Sequence, residues 1–131
     1  MDIEQGIIFE LNAVSGLENK VFALNADPRA EVPYLVFELS NSERTEILDS
    51  GHDGHVEANY QLDFYQTDFT SLKALQKLIV KKIKTWNFTN LAITGPYVEQ
   101  ASITGISHAY SEQLKIYAGT IELQINYHEE D

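Results

Sequence analysis

"VEANYQLDFY", residues 56–65, decides how the rest of the chain is read. Val56, Ala58, Tyr60, Leu62 and Phe64 alternate with Glu57, Asn59, Gln61, Asp63 and Tyr65. A period of two marks a strand with one face in a core and the other in water. Immediately downstream, Thr67 or Asp68 is placed to cap a helix running to about Trp86. Phe69, Leu72, Leu75, Ile79, Ile83 and Trp86 form its apolar stripe, with Lys73, Lys77, Lys81 and Lys84 mostly off it.

Upstream, "YLVFELS" (34–40) is a nearly continuous apolar strand entered through Pro33, which cannot donate to a ladder and so suits a first position. Between these two strands, Asn41 to His55 reads as a long polar loop. Long loops in compact domains tend to be functional. Further out, "DIEQGIIFELNAV" (2–14) spaces Ile3, Ile7, Leu11 and Val14 about one helical turn apart. Asp2 and Glu4 stand at the positive end of that helix, and Gly16 is a suitable stop. "KVFALNADPRAEVP" (20–33) then gives a short strand and a loop.

On the C-terminal side, "NFTNLAITGPYVEQASITGI" (87–106) reads as irregular, with a Gly95-Pro96 turn between short strand pieces. "KIYAGTIELQINY" (115–127) is a strand with Tyr117, Ile121, Leu123, Ile125 and Tyr127 on one face. Gly119 interrupts that face and marks either a bulge or a close backbone approach. The order α-β-β-β-α-β-β predicts a single α+β domain over residues 1–131, a mostly antiparallel sheet flanked by two helices.

Bulk properties narrow the function. The chain has 131 residues and no cysteine, so thiol catalysis, thiolate zinc and disulfides are excluded. Nine basic residues against 20 acidic give a formal net charge of −11. That balance argues against adhesion to nucleic acid, which depends on neutralising phosphates. Neither a membrane span nor a signal peptide is expected, since apolar runs are short and "MDIEQ" lacks a basic region.

Candidate chemistry is sparse. In "DSGHDGH" (49–55), Asp49, His52, Asp53 and His55 are metal-ligand types. Two glycines and an Asp-Gly pair favour a turn or polar loop over a convergent site, so no metal is expected there. Glu129, Glu130 and Asp131 form a solvated acidic end rather than an acid–base pair. There is no Gly-rich phosphate loop, Ser40, Ser42, Ser50 and Ser71 lack a nucleophile elbow, and His108 and His128 read as isolated. Neither catalytic nor cofactor-binding residues are assigned. The lysines of the second helix read either as a solvated face or as a basic patch for an acidic patch on a neighbouring copy. The latter is a head-to-tail contact able to close into a ring.

The ordered set "VPYLVFELS", "VEANYQLDFY", "DFTSLKALQKLIVKKI" and "SHAYSEQLKIYAGTIELQINYHEED" resembles the tail-completion or tail-terminator proteins of long-tailed bacteriophages, also described as head–tail joining proteins. The likeness covers nearly the whole chain, although the SGHDGH tip is not a signature of that family. The resemblance implies a structural virion protein, not an enzyme, needing no cofactor. It would form a homohexameric ring on the tail tube, stop tube polymerisation and present the joining surface to a head-completion or connector protein. DNA would pass through the lumen without adhering. The place implied is the head–tail junction of the virion, after assembly in the host cytoplasm. Contacts are expected through Asp49, Ser50, His52, Asp53 and His55 and through Lys77, Lys81 and Lys84. The alternatives are a head-side completion or stopper protein and, from another class, a small metal- or ligand-binding α+β domain.

Overall fold

The computed structural model describes residues 2–24, 31–47 and 51–129, with side chains described throughout these except at 43–47 and 51–53. Helix α1 spans Ile3–Asn12 and α2 spans Phe69–Lys84. The strands are β1 (Val21–Ala23), β2 (Tyr34–Ile47), β3 (Gly51–Gln66), β4 (Thr89–Asn90), β5 (Tyr97–Ser111) and β6 (Ile116–His128). They form one sheet in the order β1-β2-β3-β6-β5-β4, antiparallel except for the β1–β2 pair. The expected α+β architecture is thus present, with the short β4 as an added strand.

The alternation in residues 56–65 builds the middle of this sheet. Val56, Ala58, Tyr60, Leu62 and Phe64 are all buried, as are Ile121, Leu123 and Ile125 of β6, which pairs with β3 along its length. Leu72, Leu75, Ile79 and Ile83 of α2 and Ile3, Ile7 and Leu11 of α1 join the same core, so the helices cover one sheet face. Tyr60 is buried with its hydroxyl donating to the Glu4 carboxylate at 3.2 Å. Burial, together with the neighbouring Glu4, raises the Tyr60 pKa well above its ordinary value.

Both helices begin as their sequences specify. Asp2 accepts from Gln5 N at 2.8 Å while the Gln5 side chain accepts from Asp2 N at 2.9 Å, a reciprocal capping box. Asp68 caps α2, accepting from Ser71 N at 2.8 Å and Ser71 Oγ at 2.9 Å, and these bonds hold its pKa below the ordinary carboxylate value. Phe69, assigned to the apolar stripe, is instead 47 % exposed. It packs beside His108 and Tyr117, at ring separations of 5.6 and 5.9 Å.

Glu10 ties the two helices to the turn before β5. One carboxylate oxygen lies 3.3 Å from Lys82 Nζ, and the other accepts from the backbone N–H of the buried Ala92 at 3.0 Å. Ala92 and Ile93 both sit in left-handed backbone conformations, which non-glycine residues adopt at a cost. Glu10→Ala strands a buried donor in this turn and is expected to cost about 2 kcal/mol in urea unfolding. A loss within about 0.5 kcal/mol would mean that water replaces the carboxylate freely.

Two sequence-based assignments are corrected. The segment from Asn41 to His55 is not a simple loop. β2 and β3 continue as a two-stranded arm, with Arg44 opposite Val56 and Ile47 opposite Gly51, and register shifts after Leu39 and Arg44. Residues 87–106 are likewise not mainly irregular, because β5 runs unbroken from Tyr97 to Ser111. Its register against β6 slips twice, between Val98 and Gln100 and between Ile103 and Gly105. Such bulges break the period of two on which sequence reading depends.

Candidate functional site

The sheet face away from the core is polar and carries carboxylates. On β3 and β6 it presents Glu57, Asn59, Gln61 and Asp63 beside Thr120, Glu122, Gln124 and Asn126, with no lysine or arginine among these positions. The side chains bond to one another across the strands. Gln124 donates to Glu57 at 2.6 Å, Thr120 to Asp63 at 2.7 Å, and Asn59 to Asn41 at 2.6 Å. Ladders of this kind fix the side chains in place and leave an acidic surface that repels anions.

A second surface lies where α2 meets β5. Lys77, Lys81 and Lys84 are exposed, and none makes an ion pair among the described residues. They border a groove of about 380 Å³ together with Gln76, Val80 and Ile106. Beside it the aromatic run Phe69, His108, Tyr117 and Tyr110 continues onto the β5–β6 hairpin, where Tyr110 and Leu114 are 46 % and 69 % exposed. His108 is therefore not isolated: its Nε2 lies 2.6 Å from Gln76 Oε1. Lys82, adjacent in sequence, differs from its neighbours because Glu10 already holds it.

Among the described residues, both sheet margins have stretches with no strand partner, although Ala101 N–H of β5 donates to Asn87 Oδ1 at 2.9 Å. Within the same residues, β4 pairs with Tyr97 and Val98 of β5, and β1 with Leu35 to Phe37 of β2. Among the described residues, no strand pairs with the outer edges of β5 beyond that point or of β2 from Glu38 to Ile47. Long edge strands are templates for pairing with another chain.

Of the "DSGHDGH" segment, only Gly54 and His55 lie fully within the described residues. Asp49 and Ser50 lie outside the described residues, and of His52 and Asp53 only the backbone, in β3, is described. His55 is placed by its strand, not by its sequence neighbours. It stands opposite His128 of β6, with ring centroids 5.5 Å apart, and its Nδ1 lies 4.0 Å from Glu99 of β5. His128 Nε2 is 2.5 Å from the other Glu99 oxygen. His128 is thus part of a three-strand cluster, which corrects its reading as isolated.

A solved structure shares this architecture. It is a chain of the virion of a native gene transfer agent (GTA) particle, aligned with a TM-score of 0.58 over 90 % of the present chain and 84 % of that chain, at 11 % identity. At this identity the likeness is one of fold. No protein-family model matches the sequence, and no curated protein does. Among the described residues, no helix is long and apolar enough to cross a membrane.

Proposed function

We propose that this chain is a structural virion protein that assembles as a hexameric ring on the end of a tail tube, halts tube growth and forms the surface joined to the head. The observation that carries the reading is the likeness, over nine-tenths of the chain, to a component of a virion particle. The surfaces suit the role. In a head-to-tail ring, the β5 side of one copy, with its free edge and lysine-bordered groove, meets the β2 side of the next. The acidic side of this contact is read from sequence: residues 38–53 hold Glu38, Glu43, Glu46, Asp49 and Asp53 against a single Arg44. A heterologous contact of this type closes when its rotation divides the circle. The polar sheet face then lines the lumen, where its carboxylates keep DNA moving rather than bound. No catalysis and no enzyme cofactor enter this role.

Electron micrographs of virus lacking the gene test the reading. Overlong tails are expected. Tails of normal length lying beside filled heads would instead place the protein on the head side of the junction, and intact virions would overturn both. Native mass spectrometry of the purified chain is expected to resolve a hexamer. Arg44 and Val56 face each other in the ladder, so an Asn-Gly turn replacing residues 45–55 closes the hairpin with a favourable two-residue connection. This shortened chain is expected to melt cooperatively and to stay monomeric; a shortened chain that still forms the ring removes the arm from the interface.

A further inference from the structure

We propose that His55, Glu99 and His128 form a binding site for one divalent transition-metal ion of the zinc class, clasping β3, β5 and β6 together at the root of the β2–β3 arm. The three side chains each offer a ligand atom, and these atoms all lie within 4.8 Å of one another. Two imidazoles and one carboxylate select zinc-like ions over calcium or magnesium, which take oxygen donors.

The backbone builds this convergence. His55 and His128 are Cα partners on adjacent strands and face each other directly. Glu99 arrives by a different device: Val98 pairs with Tyr127 and Gln100 with Asn126, so Glu99 is the extra residue of a bulge. A bulge turns a side chain out of its regular alternation, and here the carboxylate reaches both histidines.

Spacing around a tetrahedral ion is met by small adjustments. Ligand atoms about 2.0–2.2 Å from zinc stand roughly 3.3–3.5 Å apart. The three ligand atoms, one from each residue, lie within 4.8 Å of one another and so need to close by no more than about 1.5 Å, which side-chain rotation supplies. Side-chain exposures of 27 % for His55 and 43 % for the other two leave a path for the ion. His55 and Glu99 also line a cleft of about 540 Å³ with Asn87, Phe88, Gln100 and Asn126, which has room for a water as fourth ligand.

The position gives the ion a consequence. Among the described residues the His55–His128 rung is the last Cα pair of the β3–β6 ladder; just beyond it Glu129 N–H donates to Gly54 O, and β3 continues toward Gly51 beside β2. An ion on this rung fixes the angle at which the arm leaves the sheet. The inference stands apart from the ring reading, since metal binding is measured on the purified chain.

The test is calorimetric titration of the EDTA-stripped full chain with zinc chloride at neutral pH. One equivalent is expected to bind. His128→Ala and Glu99→Gln should each weaken binding by more than about tenfold, since even partners behind the ligands contribute that much. His108→Ala, whose histidine bonds to Gln76 on α2, should leave binding unchanged. Zinc at a hundredfold excess over its Kd is expected to raise the Tm of the parent chain by roughly 5–10 °C and not that of His128→Ala. Metal-free melts establish that the variants fold, and visible absorption of bound cobalt(II) on the parent chain reads the site without any substitution. Absence of saturable heat and of a cobalt spectrum overturns the site, as does undiminished zinc binding by both His128→Ala and Glu99→Gln.

Discussion

Gly119→Val is expected to destabilise the protein by about 3 kcal/mol in equilibrium unfolding, near the upper end for overpacking a core. Gly119 is buried in β6 directly opposite Phe64 of β3. A Cβ there would stand 2.5 Å from Phe64 Cε2, nearer still to Cζ, and 3.0 Å from Cε1. The ring cannot easily swing away, because Phe64 is fully buried at the centre of the sheet beneath the helices. Glycine here lets the aromatic ring lie across the neighbouring backbone, so the ring supplies the packing that the missing side chain does not. Phe64→Leu should cost less alone, and in the double variant it should recover part of the Gly119→Val loss, because the two sites share one volume. If Gly119→Val unfolds within about 0.5 kcal/mol of the parent, the ring has space to rotate and the core at this point is looser than close packing implies.

The same glycine shows where sequence reading succeeds and where it stops. Gly119 admits two readings in sequence, and the facing ring selects close approach; the register shifts fall in the β2–β3 and β5–β6 ladders away from Gly119. β3, β6 and α2 were legible because each buries one face and wets the other, which writes a period into the residues. The β2–β3 arm has no such period. Residues 41–55 are mostly polar in sequence, and the pairing of β2 with β3 makes strands of 41–47 and 51–55. β5 hides for a second reason. Val98, Ala101 and Ile103 face the core, yet the extra residue at Glu99 breaks their parity, and Ile106 to Tyr110 are exposed. The histidine cluster was illegible on both counts. Its members meet only through the register of three strands, and the bulge that aims Glu99 at His128 leaves no mark in the residue pattern. The lysines stand out in the sequence; the fold adds that Lys82 is engaged by Glu10 while Lys77, Lys81 and Lys84 border a groove with Val80 and Ile106.

That distinction makes charge reversal informative. The triple substitution Lys77→Glu, Lys81→Glu and Lys84→Glu is expected to abolish ring formation at low salt while leaving the monomer's melt nearly unchanged. Exposed ion pairs are worth only about 0.2–1 kcal/mol each, so no single lysine decides assembly. Three reversals at one contact replace attraction with repulsion, and a ring repeats that change at every interface. The chain already carries a net charge of −11, so copies repel one another in general and this local positive strip is what offsets it. Raising the salt shortens the Debye length to about 8 Å near physiological strength and about 3 Å at 1 M. The parent ring should therefore loosen as salt rises, while the reversed variant partly regains association as its repulsion is screened. Lys82→Glu acts differently: it sets two carboxylates against each other beside Ala92 and is expected to lower the monomer's stability first. A triple variant that assembles like the parent chain at low salt would remove the lysine strip from the interface. The free edges of β2 and β5 would then have to hold the ring through backbone pairing alone, and a proline at an outward-facing backbone N–H of β5 would be the substitution to break it.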